Sequence, residues 1–172
     1  MMDRMASIEL ALRNEQTEMA YYLAEAKRST NPLARAMFET LARDEEEHAR
    51  RLSALHDRLI AKGCWPQDVP LDVQGTRIRE VLDGLVARVS STVHCEENDL
   101  EALQKAAKFE ASGAKFYATL SDACDNPMEK SFFRFLAGIE REHLHSIEDS
   151  LAFFHDPEGF NLARDKGGLD GA

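Results

Sequence analysis

The stretches LARDEEEH at residues 41–48 and LAGIEREH at residues 136–143 are two versions of one phrase, and their reading decides the fold. Each sets a Glu and a His three residues apart inside an apolar series at helical spacing. The first runs Met37, Leu41, Glu45, His48, Leu52, Leu55, Leu59, and the second Phe132, Leu136, Glu140, His143, Ile147, Leu151, Phe154. Steps of three and four keep each series on one helix face. Upstream of each lies a further series with one acid in the seam: Ile8, Leu12, Glu15, Met19, Tyr22, Ala26, and Leu103, Ala107, Glu110, Ala114, Tyr117, Ser121. Four helices are predicted.

The two helical pairs are one hairpin written twice. A displacement of 95 residues (110 − 15) places Glu15 on Glu110, Tyr22 on Tyr117 and Asn31-Pro32 on Asn126-Pro127. The same displacement places Phe38 on Phe133, Glu45 on Glu140, Glu47 on Glu142 and His48 on His143, without a gap. Chance helical similarity supplies matching Leu and Ala, but not the Pro, the upstream Glu and the Glu-x-x-His together. Asn31-Pro32 and Asn126-Pro127 each offer an N-cap followed by Pro at the first helical position, where its missing N–H costs nothing. Gly63 is the expected stop of the second helix, and Asp156-Pro157-Glu158-Gly159 that of the fourth. Short links make each pair antiparallel. Residues 64–98 form a long crossover in which Ile78, Val81, Leu82, Leu85, Val86 and Val89 predict a short helix. The expected architecture is all-α: a four-helix bundle of two repeated hairpins over residues 1–158, followed by a disordered tail at 159–172.

Residues three apart on a helix differ by about 60° in direction and about 4.5 Å in height. Glu45 and His48 can therefore address one ion, and so can Glu140 and His143. With Glu15 and Glu110 on the partner helices, the fold gathers four carboxylates and two imidazoles in its middle. Ionised carboxylates at core positions must be paired, and no Lys or Arg stands in these seams. Two divalent cations balance four Glu. Carboxylate oxygen with imidazole nitrogen suits Fe or Mn and accepts Zn, and a Glu from each of two helices plus Glu-x-x-His from the other two is the pattern of dinuclear carboxylate bundles.

Composition narrows the partners. The chain of 172 residues carries a formal charge of −10, with 31 acidic against 21 basic residues, which disfavours nucleic acid and anionic membranes. No unbroken apolar run suits a membrane span, and residues 1–12 lack the pattern of a signal peptide, so the expected location is the cytoplasm. Cys64, Cys95 and Cys124 lie far apart and form no closely spaced pair, excluding a zinc ribbon or a rubredoxin-type iron site. His56, His94, His145 and His155 fall outside the matched set. In the acidic run at 44–47, only Glu45 has the core phase, and the rest reads as a solvated face.

On the phrases Leu-Ala-x-x-Glu-x-x-His and Glu-x-x-x-Ala/Met…Tyr, the chain from Ser7 to His155 resembles the rubrerythrin branch of the ferritin-like superfamily. The resemblance implies a two-iron site in which Glu45 and Glu140 bridge, Glu15 and Glu110 are terminal ligands, and His48 and His143 cap one iron each. It gives Tyr22 and Tyr117 the role of hydrogen-bonding ligand carboxylates. It also implies a homodimer, and a ferrous pair oxidised by hydrogen peroxide or O2. Two departures stand out. Rubrerythrins proper carry a rubredoxin domain, absent here, so an electron donor must act in trans, rubredoxin-like or otherwise. They also carry a second Glu three residues after the third-helix ligand, which exchanges with a His during redox cycling and supports peroxide reduction; here that position is Gly113. An acid stands instead at the equivalent place in the first half, Glu18, about 50° from the seam centre. From there Glu18 either lies at the flank, bonded to water or to an Arg of a neighbouring helix, or reaches inward, where the pseudo-two-fold relation would bring it to the iron capped by His143. Ferroxidase action, hydroxylation of an organic substrate and non-catalytic metal binding are the alternative readings of the same site.

Overall fold

The computed structural model describes residues 4–65, 76–88 and 95–161. Among these residues there is no strand. Five helices follow in order: α1 (Arg4–Arg28), α2 (Pro32–Lys62), α3 (Ile78–Val86), α4 (Glu97–Ala123) and α5 (Pro127–His155). The hairpins α1–α2 and α4–α5 are the two dominant packing units, and α3 lies across α2 and α5. The boundaries arise from local chemistry. Asn31 accepts hydrogen bonds from the Leu33 and Ala34 amides, and Asn126 does the same for Met128 and Glu129. Each cap contributes about 1 kcal/mol. Gly63 ends α2 at φ 65°, a left-handed conformation that a side chain would strain.

The hairpins are inverted with respect to each other, so two apolar clusters form at opposite ends. One joins Tyr22, Leu33, Met37, Phe38 and Leu41 to Leu103, Ala106, Ile147 and Phe153, and α3 roofs it with Ile78, Leu82 and Val86. The other joins Ile8, Ala11, Leu52, Leu55 and Leu59 to Tyr117, Phe132, Phe133 and Leu136, with Trp65 against both phenylalanines. The polar layer holding the four glutamates and two histidines lies between them. Because α2 ends at the far end of the bundle from the start of α4, the crossover must return along roughly 45 Å of helix.

Details of phase differ from expectation. Ala11 and Ala106 are the fully buried residues where Leu12 and Ala107 are only partly covered, a rotation of one residue that turns small side chains into the core. Near the end of α5, Ser150 and Phe153 point inward rather than Leu151 and Phe154. The chain does not leave the bundle at Gly159. After a break at Asp156, residues 157–161 form another helical turn, and Phe160 packs edge-on to Phe153 with ring centroids 5.8 Å apart. The Gly159 amide donates to Asp156 Oδ1 at 2.9 Å, which starts that turn. Residues 162–172, expected to be disordered, lie outside the described residues, as do Val89 and His94.

A latch joins the hairpins at the end bearing the α1–α2 turn. Asp99 is fully buried, accepts from Ser29 Oγ at 3.0 Å and pairs with Arg28 Nη2 at 2.9 Å. At the opposite end Arg4 Nε reaches buried Glu129 at 2.8 Å. Asp99→Ala removes the shorter, charge-assisted bond of the buried Ser29 hydroxyl and leaves it only the 3.4 Å bond to the Asn31 carbonyl, while half-exposed Arg28 turns to water, so a loss of about 1–3 kcal/mol is expected. Exposed Glu97→Ala, two residues away, is expected to stay within about 0.5 kcal/mol. Urea unfolding of both variants checks the contrast; equal losses would remove the latch.

Candidate metal centre

Each of the four long helices brings its acid to the same level of the bundle, and all six seam residues are at most 2% exposed. They form two overlapping donor groups: Glu15, Glu45, His48 and Glu140 in one, and Glu45, Glu110, Glu140 and His143 in the other. The donor atoms of each group lie within 4.8 Å of one another. Both imidazoles turn Nδ1 inward. His48 Nδ1 stands 2.9 Å from Glu15 Oε2, 2.9 Å from Glu45 Oε2 and 3.5 Å from Glu140 Oε1. His143 Nδ1 stands 3.2 Å from Glu110 Oε2, 3.4 Å from Glu45 Oε1 and 3.8 Å from Glu140 Oε2. Glu45 and Glu140 thus each present one oxygen to one imidazole and the other oxygen to the second. The rings are stacked 6.0 Å apart.

The tyrosines hold the outer carboxylates across the hairpins. Tyr22 Oη donates to Glu110 Oε1 at 2.5 Å, and Tyr117 Oη donates to Glu15 Oε1. Each phenol belongs to the hairpin that does not supply its acceptor, so each bond also ties the hairpins together. Burial and the neighbouring carboxylates push both phenols well above their ordinary pKa. They remain donors at any physiological pH.

The site's electrostatics are those of a place built for cations. Burial, reinforced by Glu45, raises the Glu15 carboxyl to about 7, and burial with Glu45, Glu110 and Glu15 raises Glu140 well above the carboxylate range. Burial also acts on Glu45, but His48 and His143 outweigh it and hold Glu45 below that range. Burial disfavours charge on His48, yet Glu45 and Glu15 lift it to about 10. His143 is raised likewise by Glu110 and Asp44 against burial. Protons therefore stand where positive charge is needed, for among the described residues no Lys or Arg pairs with these glutamates.

Hydrogen bonding leaves a gap that a metal fits. Both oxygens of Glu140 and Oε1 of Glu45 are buried without a hydrogen-bond partner. An orphaned buried oxygen costs about 1–3 kcal/mol, and these three are the ones aimed between the imidazoles. Oxygen and imidazole donors, with no sulfur, suit a hard to borderline divalent ion. The buried groups are able to hold a metal.

Glu18 is half-buried and outside both donor groups. Burial, then the charges of Glu110, Glu45 and Glu15, lift its carboxyl to about 9, with His143 opposing. Its repeat partner Gly113 packs under Glu140, where an added Cβ would stand 3.3 Å from Oε2. Of the other histidines, His56 is partly covered beside Glu9 and Asp57, while His145 and His155 are exposed.

Sequence reasoning missed Asp44. The phase argument put it on a solvated face with Glu46 and Glu47. Glu46 is indeed exposed and Glu47 is held by Arg50 and Arg51. Asp44 instead reaches across to α5, with Oδ2 3.0 Å from His143 Nε2. The available signal was the repeat: Asp44 falls on Ile139, a core residue, which marks position 44 as the edge of the seam.

The all-α bundle of two like hairpins around a buried carboxylate and imidazole cluster has the architecture of a ferritin-like bundle. The rubrerythrin family model matches residues 7–62, the first hairpin, which supplies Glu15, Glu45 and His48. The second hairpin lies outside that match and repeats the Glu and Glu-x-x-His spacing of the first. No curated protein and no solved structure matches the chain. No described helix is long and apolar enough to cross a membrane.

Proposed function

We propose that the chain is a di-iron redox protein whose ferrous pair is oxidised by hydrogen peroxide or O2 and re-reduced by an electron donor in trans. The observation that carries this reading is the shared geometry of Glu45 and Glu140, each with one oxygen facing each imidazole. A pair of iron ions there supplies two electrons, one from each, enough with two protons to reduce one peroxide to water. Glu15 and Glu110 hold the outer positions, and His48 and His143 direct Nδ1 inward. Tyr22 and Tyr117 fix the outer carboxylates by hydrogen bonds from the opposite hairpin. The apolar clusters above and below keep the layer dry, which strengthens every charge interaction within it. Reducing conditions in the cytoplasm and a homodimeric assembly belong to the same reading.

The test is stopped-flow mixing of the anaerobically Fe(II)-loaded chain with peroxide and, in parallel, with O2, followed by near-UV absorption. Faster oxidation by peroxide, with recovery on adding reductant, is the expected result. Faster oxidation by O2 with release of ferric iron would replace it with ferroxidase action. Two bound irons inert to both would leave a metal-binding bundle.

Glu18 supplies a prediction within this reading. A carboxyl that keeps its proton to about pH 9 beside Glu110 and His143 can deliver that proton, or turn inward as an added ligand. Glu18→Gln is expected to leave two irons bound and slow oxidation by peroxide at least about tenfold. An unchanged rate would assign Glu18 to the bundle surface.

A further inference from the structure

The two ends of the donor layer are supported differently. Behind His143, Nε2 faces Asp44 Oδ2 at 3.0 Å, and because a carboxylate only accepts, Nε2 carries a hydrogen, so that Nδ1 is the nitrogen that would give up its proton and offer its lone pair to an ion. Thr76, where the crossover enters α3, donates its hydroxyl to the same Asp44 oxygen at 2.5 Å. The Thr76 hydroxyl in turn accepts from the Ile78 amide at 3.1 Å, so the first turn of α3 braces it. His143, Asp44, Thr76 and α3 form one chain of contacts from the core to the crossover. Among the described residues, no carboxylate stands behind His48 Nε2 in the same way. The residue that the repeat places opposite Asp44 is Ile139, which is 3% exposed and has no polar group to offer.

We propose that Asp44, braced by Thr76, is a positioning residue that makes the metal position beside His143 the tighter of the two and the first to fill. The inference rests on the metal reading above. A ring locked in one tautomer and one orientation loses less freedom on binding an ion, and a carboxylate behind it makes the inward nitrogen a better donor. Both effects act only on the position formed by Glu45, Glu110, Glu140 and His143. The position formed by Glu15, Glu45, Glu140 and His48 lacks them. The crossover thereby gains a part in the site although it supplies none of the six donors.

Anaerobic titration of the full chain with Co(II), read by its visible absorption, tests the proposal. The wild-type chain is expected to bind two ions in two resolved steps. Asp44→Ala should weaken the tighter step roughly 10–100-fold and leave the other in place. Asp44→Asn, whose amide oxygen still accepts from Nε2–H, should lose less, and Thr76→Val should weaken the same step by a smaller factor. Exposed Glu46→Gln should match wild type. In ¹⁵N spectra of the Zn(II)-loaded chain, the His143 Nε2–H should be protected from exchange in wild type and exchange freely in Asp44→Ala. If Asp44→Ala does not fold, Asp44→Asn and Thr76→Val decide the matter by the same readouts. Variants that leave both steps unchanged, or weaken both equally, overturn the inference while wild-type binding of two ions upholds the metal reading. A wild-type chain that does not bind two ions overturns both.

Discussion

Replacing Glu45 or Glu140 by alanine is expected to abolish the two-ion centre, while Glu47→Ala and Glu142→Ala leave iron content unchanged. The four positions are equally matched in the repeat, so similarity between the halves cannot tell them apart; helical phase can. Glu45 and Glu140 are buried between the imidazoles, whereas Glu47 lies beside Arg50 and Arg51 and Glu142 is exposed. The two core variants should nevertheless differ in the metal-free protein. Glu45 is the carboxylate that both imidazolium groups share, and removing one partner of a buried ion pair costs about 3–5 kcal/mol. Burial and the neighbouring carboxylates push Glu140 well above the carboxylate range, which favours its neutral form, and neither of its oxygens has a hydrogen-bond partner among the described residues. Glu140→Leu, close to it in volume, should therefore melt no lower than the metal-free wild type, and Glu45→Ala distinctly lower. Iron analysis with calorimetry on metal-free samples reads both contrasts. Loss of iron from Glu47→Ala with retention in Glu45→Ala would mean that the phase of α2 is misread.

The contrast between these neighbours also marks how far the sequence carries. Hairpin ends were legible because their signals are local: Asn31 and Asn126 cap the amides two and three residues onward, and Gly63 needs no partner to turn left-handed. The six donors were legible because a Glu or His at a core position contradicts its surroundings, twice, at the same spacing. Asp44 was not, because its partner lies 99 residues away and its worth depends on how α2 meets α5. Asp99 and Glu129 escaped for a related reason. Acids in the first turn of α4 and α5 read as ordinary dipole-stabilising charges, and only the inverted docking of the hairpins buries them against Arg28 and Arg4. The helical turn at 157–161 was hidden by Pro157 and Gly159, residues that read as a stop. What anchors it, Phe160 on Phe153, is again a contact of tertiary packing.

Chelation is expected to lower the melting temperature, and by more as the pH rises. Without metal the donor layer is held by protons. Glu15 and Glu18 have folded pKa values of about 7 and about 9 against an ordinary 4.5, so the folded chain binds these protons more tightly than the unfolded chain does. Their contribution is complete below pH 4.5 and is lost as pH climbs through those folded values. His48 acts in the same direction, complete below its ordinary 6.5 and lost on rising through about 10, and His143 follows it. Glu45 alone has the opposite sign, contributing above 4.5 and losing its effect only in acid. The metal-free chain should thus weaken steadily from about pH 5 to about pH 9. Metal binding runs the other way, because its ligands must be ionised carboxylate and neutral imidazole, and protons compete for both. With free metal at about a thousand times Kd, each ion contributes about 4 kcal/mol. At about 2–4 °C per kcal/mol for a chain of this size, two ions raise the melting temperature by roughly 15–30 °C. Scanning calorimetry of loaded and chelated samples at pH 5.5, 7 and 8.5 should show that gap widening at each step. A gap that narrows with pH would mean that protons and metal do not compete for the same atoms, and a chelated form melting as high as the loaded one would leave the glutamates without the cations their burial demands.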